Sequence, residues 1–143
     1  MKKLISTSFL LLLGLFIYAQ SPIGTWKTID DETGKEKSYV EIYKNDSGNL
    51  EGKVIKILTP GHEDRKCTEC KGNKKNKPIV GLVIIRDMEK DGDTWKNGHI
   101  LDPENGKEYK CKMTMKDEDT LDVRGYIGFS LIGRTQTWYR VEE

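Results

Sequence analysis

Apolar side chains recur at every second position over short runs, the period that turns one face of a β-strand toward a core. Residues 108–115 show it most plainly: Tyr109, Cys111, Met113 and Met115 point one way, and Lys110, Lys112, Thr114 and Lys116 the other. Strands of the same kind are predicted at 24–29, 38–44, 50–58, 94–101 and 121–126, with DDETGK, NDSG, DGD and DPENGK as turns between some of them. Asn, Asp and Gly tolerate the positive φ that tight turns need. NDSG therefore makes 38–58 a hairpin. Residues 78–88, PIVGLVIIRDM, are apolar on both faces and predict a strand that is buried on both sides or bends within the sheet. Asn97-Gly98 predicts a bulge or kink within its strand.

The stretch 121–141, LDVRGYIGFSLIGRTQTWYRV, reads as two strands around a Gly-rich corner. Alternation in its second half puts Ile132, Arg134, Gln136, Trp138 and Arg140 on one face. Such a face is either outer surface or the lining of a polar cavity. About eight strands at short, regular spacing, joined mostly as sequential hairpins, predict an all-β antiparallel up-and-down barrel, which leaves no free edge.

One segment breaks the rhythm. Residues 59–77, TPGHEDRKCTECKGNKKNK, have no periodicity and hold Cys67 and Cys70. Connections of that length are usually functional or mobile; this one can also hold a short helical turn. The N-terminus carries Lys2 and Lys3, an apolar run and a small residue at Ala19, the pattern of a secretory signal peptide. The run is too short for a membrane-spanning helix. Removing 1–19 leaves residues 20–143 as one domain, exported to the periplasm or beyond. Its 22 basic residues stand against 23 acidic ones once Lys2 and Lys3 are gone. That balance lacks the basic footprint of a nucleic-acid binder.

Export permits disulfides, and the three cysteines leave at least one thiol unpaired within the chain. Cys67-x-x-Cys70 admits a local disulfide, a redox pair or half a zinc site. The disulfide is favoured, because no second CxxC completes four zinc ligands and no strand-to-helix context suggests a redox pair. Cys111 reads as a small buried hydrophobe. His62 and His99 lie in different elements, and most aspartates fall in turns. No activated nucleophile and no complete metal set appears, so no enzyme, metal or cofactor is expected.

The motif order resembles a family of small secreted bacterial proteins, domain-of-unknown-function family 2147. The matching residues are Gly24-x-Trp26, Leu50-x-Gly52-Lys53, the Cys-containing loop before Pro78-Ile79-Val80-Gly81-Leu82, and Trp95-x-x-Gly98-x-Ile100-x-Asp102-Pro103. They continue through Gly106-Lys107-x-Tyr109-x-Cys111, Leu121-x-Val123-Arg124-Gly125-Tyr126-Ile127-Gly128 and Gly133-Arg134-Thr135-Gln136-Thr137-Trp138-x-Arg140. The resemblance implies a lipocalin-like barrel, in which Arg134 or Arg140 stacks over Trp26 to close the floor. It implies no activity, and a shared fold transfers none.

Two functions follow as expectations. The first is an exported binding barrel for a small amphipathic or lipid-like ligand. Its apolar part would lie against Trp26, Trp95, Tyr126 and Trp138, and its carboxylate or phosphate against Arg124 or Arg134, with Gln136 beside them. The alternative is an envelope interaction or stress-related protein with a packed barrel, whose protein partner the residues do not name.

Overall fold

The computed structural model describes residues 20–129 and 132–142; the leader expected at 1–19 lies outside them. Eight antiparallel strands close into a barrel in sequence order. They are β1 (Gly24–Ile29), β2 (Glu36–Lys44), β3 (Leu50–Ile57), β4 (Val83–Asp91), β5 (Thr94–Asp102), β6 (Lys107–Asp117), β7 (Thr120–Tyr126) and β8 (Gly133–Arg140). A 3-10 turn at Gly72–Lys74 is the helical turn that the long loop can hold. No helix among the described residues is long and apolar enough to cross a membrane.

Turn chemistry sets the hairpins as the sequence suggests. The Asn45 side chain accepts the backbone N–H groups of Ser47 and Asn49, both at 3.0 Å. Asp30 does the same for Glu32 and Thr33, at 2.9 and 2.8 Å. The kink expected at Asn97-Gly98 is a register shift between Trp95 and Gly98, with Asn97 at φ 61°. A Cβ at Gly98 would collide with Met88 Sδ, so the strand bends where β4 packs closest.

The strand expected at 78–88 is the main correction. β4 begins at Val83, and residues 78–82 belong to the preceding loop. Gly81 adopts φ 95°, Leu82 N–H returns to Ile79 O at 3.0 Å, and a turn forms where a strand was expected. The run is apolar on both faces because Ile79 and Leu82 are buried as loop residues and Ile84 and Ile85 as strand residues.

The closing seam is short. β8 makes seven register pairs with β7 but only two with β1, Trp26↔Arg140 and Lys27↔Tyr139. Those two sit at the end of the barrel that holds the N-terminal segment. There Trp26 is fully buried and donates its indole N–H to Pro22 O at 2.8 Å. The Arg140 guanidinium lies over the Trp26 ring, 4.4 Å from its centroid. Its three nitrogens donate to Glu118 O, Ile23 O and Ser21 O at 2.7, 3.0 and 2.9 Å. One side chain thus ties β8, the β6–β7 turn and the N-terminal segment into a floor. Gly24 makes room for it: φ is 139°, and a Cβ there would stand 2.7 Å from Arg140 Nη1. This explains physically why glycine precedes Trp26 by two.

Above the floor, Val40, Ile42, Leu50, Met88, Met113, Leu121 and Trp138 fill the closed half. The other half is hollow, because Ser38, Thr28 and Gly125 are small where they face inward. Arg140→Ala removes a desolvated cation–π contact and three charge-assisted hydrogen bonds, so it should destabilise the fold by about 2 kcal/mol. Arg140→Lys should recover little, since an ammonium lacks the planar fork. Chemical denaturation checks both, and wild-type stability in either variant would contradict the role given to the floor.

Candidate functional site

The hollow half is a cavity of about 600 Å³ that opens where the turns β1–β2, β3–β4, β5–β6 and β7–β8 meet. Its inner wall is apolar: Val54, Ile57, Ile84, Ile100, Val123 and, at the bottom, Trp138. Alternation presents Val54, Ile100, Val123 and Trp138 inward, and the register shifts in the β2–β3 and β3–β4 pairings bring Ile57 and Ile84 to the same face. Ile79, from the β3–β4 loop, adds a further apolar side chain to the lining. Two polar features break the wall. The Thr28 and Ser38 hydroxyls bond each other at 2.8 Å, and Trp138 Nε1–H donates to Gln136 Oε1 at 3.1 Å. Gln136 is thereby held between the wall and the rim.

The rim is charged. Asp30, Asp31, Glu32, Asp102 and Glu104 supply five carboxylates, and Lys37, Arg65 and Arg134 three cations. Each cation has a carboxylate partner. Lys37 Nζ lies 2.7 Å from Glu104 and 3.5 Å from Asp30, Arg65 lies 4.0 Å from Glu104, and Arg134 Nε donates to Asp31 at 3.0 Å. The Arg134 pair reaches across the part of the seam where β1 and β8 no longer pair. Arg134 holds the Asp31 carboxyl below the ordinary 3.8, chiefly by hydrogen bonding to the charged form. Asp30 is lowered too, first by the backbone N–H of Thr33.

The β3–β4 loop covers one side of the mouth. Cys67 and Cys70 are joined in a disulfide and buried, with Cys67 Sγ 3.5 Å from Pro103 O on the β5–β6 turn. The Glu69 carbonyl presses on Gly106 so closely that a Cβ there would overlap it. Asn76 N–H and Cys67 N–H bond to Cys67 O and Lys77 O, and Gly81 N–H bonds to Val54 O on β3. The loop lacks periodicity yet is tethered at both ends and in its middle. Cys111 is buried on β6, and burial pushes its thiol up to about 12, which makes it unreactive. No cluster of three metal-ligating side chains occurs among the described residues.

Of the residues expected to bind a ligand, Tyr126, Arg134, Gln136 and Trp138 line the cavity together. Trp26, Trp95 and Arg124 stand off it. Trp26 is part of the floor, covered by Arg140, and Trp95 packs against the hydrophobic core. Arg124 follows inward-facing Val123, so it points outward on β7 and donates to Thr135 Oγ1 at 3.0 Å. The face of β8 that carries Arg134, Gln136 and Trp138 is therefore cavity lining rather than outer surface. Sequence reasoning missed the aliphatic wall, because Val54, Ile84, Ile100 and Val123 look like ordinary core. It also missed Asp31, whose partner is 103 residues away.

Asp31 should titrate below an ordinary aspartate in a carboxyl-detected NMR experiment and move back toward 3.8 in Arg134→Gln. A lowered folded-state value gives stability that is present above the unfolded value and lost as pH falls through the folded one. With Arg134 well exposed that contribution is small. An unshifted Asp31 would contradict the pairing. The disulfide closes a very short ring, so Cys67→Ala with Cys70→Ala should cost at most about 2 kcal/mol. The barrel's far-ultraviolet dichroism should persist; its loss would show that the loop, not the floor, holds the barrel.

A model of the family described as "Uncharacterized protein conserved in bacteria (DUF2147)" matches residues 24–140. No curated protein matches the chain. Among solved structures, the chain is similar to one titled "Protein HP1028 from the human pathogen Helicobacter pylori belongs to the lipocalin family". The TM-score is 0.76 at 21% identity, covering 86% of this chain and 84% of that one. At that identity the likeness speaks for the fold alone, and it agrees with the barrel. With the match running from the Gly24-x-Trp26 motif to the floor arginine, Arg140, this chain belongs to the DUF2147 family and folds as a lipocalin-like barrel.

Proposed function

We propose that the protein is an exported, non-enzymatic barrel that binds one small amphipathic molecule. The observation that carries this reading is the cavity of about 600 Å³, apolar at the bottom and charged at the rim. That volume suits a single ligand, and eight strands leave room for one. The apolar part of the guest would lie against Trp138, Val123, Ile84 and Ile100, and its polar end against Tyr126, Gln136 and the rim. A buried disulfide and the absence of a spanning helix among the described residues are compatible with export.

The rim refines the class of ligand. An anionic head would meet five carboxylates and three cations that already have partners. A clamp on a carboxylate by Arg134 would have to displace Asp31. The reading therefore takes a neutral or cationic polar end on an aliphatic or small-ring body.

Titration of tryptophan fluorescence tests it. A neutral monoacylglycerol and a long-chain alkylamine should give saturable changes, and a fatty acid of equal chain length should bind more weakly. Val123→Phe, which fills the cavity, should weaken binding by about tenfold or more. No saturable response to any of the three, or a Val123→Phe variant that binds as the wild type does, would end the proposal.

A further inference from the structure

Among the described residues, the three most exposed large hydrophobic side chains stand together between β7 and β8. Ile127, Phe129 and Ile132 are 62%, 84% and 67% exposed. Exposed apolar groups scattered singly are normal, but a cluster on one projecting turn marks an interaction site. The turn is also part of the mouth: Ile127 and Ile132 line the cavity as well as facing outward. Beside it is a basic collar. Lys71, Lys74, Arg86 and Lys107 line a second, outer hollow together with the single carboxylate Glu108, and Ile127 forms one wall of it. Lys110 Nζ reaches Gly128 O in the turn itself, at 3.5 Å. Lys71 and Lys74 of the Cys-containing loop are thereby brought next to the apolar turn.

The geometry points to a bilayer-docking surface: the side chains of Ile127, Phe129 and Ile132 insert among acyl chains of an anionic membrane while the lysine collar meets its headgroups. A projecting apolar turn with a cationic collar fits a soft, negatively charged interface. A protein partner of ordinary size would instead need a broad complementary face. The inference rests on the proposed ligand cavity for its purpose. With Ile127 and Ile132 shared between turn and cavity, an amphiphile could pass from the acyl layer into the barrel along apolar side chains without crossing water. The docking itself stands on the exposed turn and the collar alone.

Vesicle co-sedimentation of the intact domain tests it, with phosphatidylcholine vesicles and with vesicles containing about one-third phosphatidylglycerol. The wild type should pellet with the anionic vesicles and be released by high salt. Phe129→Ser, at a position too exposed to affect folding, should weaken vesicle binding by about tenfold. Replacing Lys71, Lys74 and Lys107 with Gln should weaken it by about fivefold per lysine. The cavity-filled Val123→Phe variant should still bind vesicles while taking up no ligand, which separates failure of docking from failure of the cavity. Absence of binding to anionic vesicles, binding unchanged by Phe129→Ser, or a dimer that Phe129→Ser converts to monomers without any vesicle binding would each overturn the inference.

Discussion

Closure of one end of the barrel depends on the Arg140 guanidinium stacked over Trp26. A cylinder of eight strands has two ends, and each must be plugged or left open. Here the seam between first and last strands has only two register pairs. The arginine compensates by bonding three backbone carbonyls from two other parts of the chain. A planar cation satisfies those acceptors and covers an aromatic face at once, which an aliphatic plug could not do. With that end sealed and the adjacent half filled by large side chains, the remaining volume collects at the other end. The cavity is thus a consequence of where the bulky residues stop.

The open end is built differently. Three of its four turns carry charge, the β7–β8 turn being apolar, and ion pairs tie parts of the rim together: Lys37 joins β2 to the β5–β6 turn, and Arg134 joins β8 to the β1–β2 turn. Exposed pairs of this kind contribute little to stability and separate easily. A mouth held in this way can admit a guest without disturbing the floor. The disulfide-bearing loop supplies the one rigid piece of the rim, wedged against Gly106 and Pro103. Rigidity on one side and weak ionic ties on the other are what a cavity with an entrance requires.

Much of this was legible in the residues. The hairpin of β2 and β3 follows from alternation plus the Asn45–Gly48 turn, both local signals. The inward face of β8 was visible as a pattern, but its direction was not, since Arg134 and Gln136 are as plausible on a surface as in a cavity. Alternation fixes which residues share a face; only packing decides which face is inside. Residues 78–82 were misread as strand because apolar side chains on both sides of a segment signal burial, not backbone conformation. The Asp31–Arg134 tie had no signal at all, being a contact between a turn and a strand residue 103 positions away in the chain. The floor arginine was narrowed to two residues by resemblance, and the structure selects Arg140.

The account stands on the open half of the barrel being a receptive space. Native mass spectrometry of the folded domain after incubation with a mixed neutral-lipid extract addresses that directly. A single one-to-one adduct on the wild type, absent from Val123→Phe, is the result the account requires. Bare protein in both samples, or the same adducts on both, would contradict it.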